Sequence, residues 1–268
     1  MSCSAAAAGD YTVTVTGTDG TLTHTTATIL FHVVDFTIAA GAVSPTQILV
    51  GSSGTSTITV TALNGLTGTV SLSVSTSTPA GLTCNIPASV TFGPTLQTAT
   101  LSCSAATEVD YTITVTGTDG SRSHTTATIL FHVTNFTLGA GPATVSFVPP
   151  GTAISTITAN ALSGFTGSIA LTITSADPPT GCTASISPAS VTLPTPNTST
   201  LTGGGTCTVS FSVTVTGTSG TLIRAVIVTF TPQPDFSISA SAVTPAQILA
   251  GSSGTSTITV TALNGFTG

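Results

Sequence analysis

Five cysteines, four histidines, eight carboxylates and two arginines hold nearly all the reactive chemistry open to this 268-residue chain. Cys84 and Cys103 lie close together in sequence, as do Cys182 and Cys207, while Cys3 stands alone. The histidines form two pairs, His24 with His32 and His124 with His132, each eight residues apart. Eight residues of strand span about 26 Å, so neither pair chelates one ion. Both positions share the face of Thr126 and Thr128, opposite Ala127, Ile129, Phe131 and Val133, and read as surface histidines. A Ser/His/Asp nucleophile needs an oriented base and a cleft; among so many hydroxyls a matching triplet arises by chance and is discounted. Asp35 and Asp235 suggest calcium, but that ion wants six to eight oxygens and Asn135 takes the same place between them. Turn chemistry is the better use of one acid. The expectation is no catalytic group, no cofactor and no metal: not an enzyme. Asn135-Phe136-Thr137 and Asn197-Thr198-Ser199 match the N-glycosylation acceptor pattern.

Composition closes off several functions. Charged residues make up 4 % against a usual 25 % or so, with a net charge of −6. Two basic side chains cannot neutralise a nucleic-acid backbone or bind an anionic membrane surface. No apolar run reaches the roughly 18 residues of a spanning helix, so no membrane insertion is expected. Threonine instead occurs 62 times. With 40 % hydrophobic residues and a mean hydropathy of +0.55, real cores are within reach.

The sequence repeats every 100 residues. Residues 35–68 recur as 235–268 with 27 of 34 identical, and 2–34 recur as 102–134 with 25 of 33 identical. Residues 135–167 are a more distant copy of the same opening. The divisions are therefore 1–34 (the end of a copy), 35–134, 135–234 and 235–268 (the start of a copy). No Gly/Ser linker separates them, which predicts a stiff rod.

Within each copy the period is two. Thr57-Ile58-Thr59-Val60-Thr61-Ala62 alternates hydroxyl and apolar residues, and Val70-Ser71-Leu72-Ser73-Val74 does the same. That is the pattern of half-buried strands, and threonine's branched side chain suits a pleated surface. Turns are marked by Asn64-Gly65, Gly93-Pro94 and Asp119-Gly120, the last read as a tight hairpin with both residues at positive φ. About seven strands per 100 residues predict an all-β chain of tandem antiparallel sandwiches of immunoglobulin type. Tyr111 sits where a tyrosine corner belongs, although Phe211 replaces it in the next copy.

The strings TSTITVTALNGLTGTVSLSVS, IPASVTF and DYTITVTGTDGSRSHTTATI resemble the tandem Ig-like repeats of bacterial and archaeal secreted and cell-surface proteins. The resemblance covers the whole chain. It implies Ig-like sandwiches outside the cytoplasm, in stalks or as appendages of secreted hydrolases.

The cysteines add an argument of their own. Aligned on Pro87/Pro188 and Tyr111/Phe211, Cys182 falls three positions before the counterpart of Cys84, and Cys207 four after that of Cys103. The sum of paired positions moves only from 187 to 188. Facing positions on antiparallel strands keep such a sum nearly constant. Two bridges, Cys84–Cys103 and Cys182–Cys207, are expected, and disulfides belong outside the cytosol.

These readings point to a structural segment of an extracellular filament or surface appendage, with copies of itself as partners along the filament axis. The outward Thr and Ser could carry O-linked sugar, as Asn135 and Asn197 could carry N-linked glycans, or could stay bare as lateral packing surfaces, and the sequence does not choose between these. The alternative is a non-catalytic adhesin stalk or an accessory binding module of a secreted hydrolase.

Overall fold

The computed structural model describes residues 2–93 and 96–268, and among these there is no helix. Pro94 of the Gly93-Pro94 turn lies outside the described residues. The chain forms two compact units, 1–135 and 136–268.

In the first unit, the copy starting at Asp35 is a sandwich. One sheet holds Asp35–Ala40, Ser53–Leu63, Gln97–Ala105 and Leu82–Asn85 in that order. The other holds Ser89–Phe92, Gly68–Val74, Val115–Thr118 and Ser123–Thr125. Asp110–Ile113 pairs antiparallel with Ile129–Gly141, and Ile48–Leu49 runs parallel to Val133 and Thr134. Alternation does what the sequence pattern asks of it. Along Ser53–Leu63 the side chains of Ser56, Ile58 and Val60 are buried, while Thr55 and Thr57 are exposed. Phe36, Ile58, Val70, Leu101, Val115 and Phe131 pack into one core. Gly54 makes room for the parallel strand: a Cβ there would stand 2.3 Å from Ile48 Cδ1.

Turn chemistry is partly as expected. Asn64 and Gly65 both adopt positive φ (51° and 74°), and Leu66 N–H donates back to Leu63 O at 3.3 Å. Asp119-Gly120 is a correction: only Gly120 is at positive φ, +93°. The central pair of that hairpin is Gly120-Ser121, with Asp119 N–H donating to Arg122 O at 3.1 Å. Glycine first in the central pair gives the other twist-matched hairpin turn. Asp119 is freed to act as an acceptor.

Residues 2–34 contribute the ladders Gly9–Val13 with Ile29–Val33 and Thr16–Thr18 with Thr23–Thr25.

The second unit repeats the plan. Thr152–Leu162, Thr198–Gly205 and Cys182–Ser187 lie side by side. Opposite them run Thr144–Phe147, Leu222–Pro232, Phe211–Ser219, Gly167–Ala176 and Ser190–Leu193. Phe211 stacks on Phe230 at a centroid distance of 5.3 Å, filling the place of a tyrosine. Gly203 lets the Phe230 ring lie flat against the strand, since a Cβ would be 2.7 Å from it. The hairpin of Asp235–Ala240 and Ile258–Leu263 ends the unit.

Candidate functional site: the opening of the repeat

In so uncharged a chain, the ionic groups gather where a copy begins. Asp35 Oδ1 accepts the Phe36 N–H at 2.8 Å, and His124 Nε2 lies 2.8 Å from the same oxygen. His124 arrives on Ser123–Thr125, whose register sets it opposite Gly117. Its ring meets the ring of Phe36 edge-on, with centroids 4.7 Å apart. Gly117 leaves the space for this, because a Cβ would come within 3.2 Å of the Phe36 ring and 3.0 Å of Val70. Arg122, in the turn just before, donates to the Val34 carbonyl and pairs with Asp119. One hairpin thus holds both the last peptide before the copy and its first side chain.

A second group forms beside it. Asp10 faces His32 across an antiparallel ladder, with His32 Nδ1 2.5 Å from Asp10 Oδ1. Asn64 Nδ2 donates to that carboxylate at 3.0 Å and to the Val33 carbonyl at 2.9 Å. Its reach follows from the left-handed turn it begins. In the second unit Asn264 Nδ2 donates to the Gln233 carbonyl at 3.0 Å, from the same kind of turn. Asp110 and His132 repeat the pairing of Asp10 and His32.

Hydrogen bonds set the electrostatics. The Asp35 carboxyl is held below its ordinary value, first by the bond from His124. Asp10 is lowered mainly by Asn64 and then by His32. Asp19 is lowered by the N–H groups of Leu22 and Thr21. A carboxylate orienting an imidazole is half of a nucleophile-activating set. Among the described residues, no group of three or more His, Cys, Asp or Glu gathers as a metal site. What the arrangement can do is fasten backbone. His32, His124 and His132 keep substantial exposure, as read from the sequence, but they are not isolated. Each has a carboxylate partner. His24 is exposed and has no such partner among the described residues.

A disulfide joins Cys84 to Cys103, which face each other directly in the ladder at a Cα–Cα distance of 4.1 Å. Another joins Cys182 to Cys207 at 5.3 Å. There Cys182 faces Gly205, and Cys207 lies two residues beyond it. Cys3 is a free, exposed thiol. The two acceptor asparagines differ. Asn135 is buried, with its Nδ2 donating to Glu108 Oε2 at 3.4 Å. Asn197 is half-buried and donates to the Ala159 carbonyl at 3.2 Å.

Tyr111, 1 % exposed, donates its hydroxyl to the Thr107 carbonyl at 3.3 Å. That corner tyrosine, with the two-sheet strand order, decides the architecture. The copies are Ig-like repeats.

No protein-family model matches the chain, and no curated protein matches it. It is similar in structure to domains 4 and 5 of the S-layer protein SbsC, at 22 % identity over 48 % of this chain and 68 % of that one, TM-score 0.27. It is also similar to the D00-D0 domain of intimin, at 17 % identity over 71 % of this chain and 98 % of that one, TM-score 0.37. The Yersinia pseudotuberculosis adhesin InvE matches at 16 % identity over 73 % of this chain and 58 % of that one, TM-score 0.28.

Proposed function

We propose that the chain is a structural segment of an extracellular filament or surface appendage, assembled from Ig-like repeats divided at 34/35, 134/135 and 234/235. Its role in this reading is mechanical and involves no reaction. The observation that carries it is the fastening at the start of the repeat. Asn64 and Arg122 clamp the carbonyls of Val33 and Val34, and Asn264 clamps that of Gln233. Residues spent on holding successive copies in place serve a chain that must transmit load. The two disulfides support a location outside the cytosol. Copies of itself along a filament axis are the partners this reading entails; glycans on Asn197 or on the outward Thr and Ser are compatible with it.

Negative-stain electron microscopy of the natively produced protein tests it. Unbranched fibres with an axial repeat are expected. Dispersed single particles, with the protein found soluble or inside the cell, would overturn it.

A further inference from the structure

The two complete copies close on hairpins of different build. In the first, facing positions sum to 242 where Asp110–Ile113 meets Ile129–Gly141, but to 241 where Val115–Thr118 meets Ser123–Thr125. Its last strand therefore carries one extra residue. The ladder breaks over residues 126–128, where the buried Thr126 turns inward and its hydroxyl accepts the Val115 N–H at 3.0 Å. Bulges of this kind end pairing and blunt a sheet edge. Arg122 and His124, held by Asp119 and Asp35, add polar groups beside the break.

The second copy has neither device. Val226-Ile227-Val228 stand where the first copy has Thr126-Ala127-Thr128. The sum stays at 441 from Phe211↔Phe230 to Ser219↔Leu222, so Leu222–Pro232 is one unbroken strand. Thr144–Phe147 covers its far side only from Thr229 onward, and Thr229 donates its N–H that way, to Ala143 O at 2.9 Å. By strand alternation, the backbone groups of Ile223, Ala225 and Ile227 point to the same side. No strand lies there among the described residues. The Ile223 carbonyl accepts from Arg224 Nη1 at 2.8 Å and keeps a second lone pair. The side chains of the three form an apolar row, with Ile223 59 % and Ile227 58 % exposed and Ala225 exposed between them.

Such an edge is complementary to itself. A two-fold axis at Ala225 sets Ala225 against its own copy and Ile223 against Ile227 of the other chain, each facing pair exchanging two backbone hydrogen bonds. The smallest side chain lies on the axis. On the other face Arg224, the one ionisable group of Leu222–Pro232, falls opposite Val226 and never opposite itself. Leu222 then faces Val228, so each hairpin tip stops where the other chain's Thr144 begins its own pairing with Thr229. We propose that residues 223–227 pair antiparallel with the same edge of a second copy, joining two five-stranded sheets into one. A stable interface takes about 20–30 residues a side, so this one is weak and reversible. The join is lateral and does not depend on the filament reading.

Cysteine crosslinking of the 268-residue chain tests it, in a Cys3→Ser background, the other four cysteines being bridged already. Facing residues that exchange both bonds lie about 5.5 Å apart at Cα, within disulfide range. Ala225→Cys alone should give a covalent dimer under mild oxidation. Ile223→Cys or Ile227→Cys alone should give at least tenfold less, since each would lie about 14 Å from its own copy. A mixture of those two should crosslink. Ile227→Lys sets a charge against the apolar row and should weaken dimerisation at least tenfold in analytical ultracentrifugation. All these side chains are exposed, so the variants should fold, which circular dichroism verifies. No dimer from Ala225→Cys, equal crosslinking at all three positions, a mixture that stays uncrosslinked, or association untouched by Ile227→Lys would each overturn the pairing.

Discussion

Asp35 and His124 lie 89 residues apart in sequence and 2.8 Å apart in space. Between them they span the whole copy, from its first strand to the hairpin near its end. The pair closes the sandwich at the point where the chain enters it, and Phe36 packs against the same imidazole.

Acid should undo this closure, and only acid well below neutrality. The Asp35 carboxyl is lowered from its usual 3.8 in the folded state. A depressed carboxyl stabilises the fold above its unfolded value, and that contribution is lost as pH falls through the lower, folded value. Asp10 and Asp19 are shifted the same way. Calorimetry should find a melting temperature nearly constant between about pH 5 and 7, declining below about pH 4. Asp35→Asn should reduce that decline. A steep change between mildly acid and neutral pH would contradict the account.

The bridge Cys84–Cys103 closes a loop over a sequence separation of 19. On the chain-entropy model that is about 3 kcal/mol. Replacing both cysteines with alanine should lower the unfolding free energy of that copy by this order in urea titration. The copy containing Cys182 and Cys207 should keep its own transition. An unchanged midpoint would mean the reduced chain is already constrained.

Gly54→Ala should cost about 1–3 kcal/mol, because the new methyl collides with buried Ile48 and forces its strand away from Val133. Ile48→Ala in the same chain frees the space and should recover part of the loss. A double variant no better than the sum of the singles would refute the collision.

Tyr111→Phe removes a buried hydroxyl and its bond to Thr107, an expected loss of about 1 kcal/mol by thermal or chemical unfolding. The second copy already carries Phe211, stacked on Phe230. There the reverse change, Phe211→Tyr, should give no gain unless the hydroxyl finds a carbonyl.

Glycopeptide mass spectrometry should find Asn135 bare, since its amide is buried against Glu108. A glycan there would require the side chain to turn out of the fold. Asn197, half-buried beside an exposed Thr198, is the better acceptor.

Strand positions were legible from alternation because one face of each strand is wet and the other dry, as along Ser53–Leu63. The Asn64-Gly65 turn was legible for a similar reason: its backbone admits few other residues. Asp10 with His32 could have been found by laying the ladder Gly9–Val13 against Ile29–Val33. Asp35 with His124 could not, because strand periodicity does not say which sheet edge meets which across the sandwich. The Asp119-Gly120 hairpin failed by one residue. The dipeptide favours two positive φ angles, but the aspartate gains more as an acceptor for Arg122.

Cross-strand hydroxyl pairs such as Thr69 with Thr91, Thr116 with Thr125 and Thr174 with Thr216 lie 2.7–3.2 Å apart, and either partner can donate. A surface made this way has no fixed polarity, and almost no charges stand on it for dissolved ions to screen. Any contact it makes with a neighbouring surface should therefore be nearly as strong in rainwater as in brine.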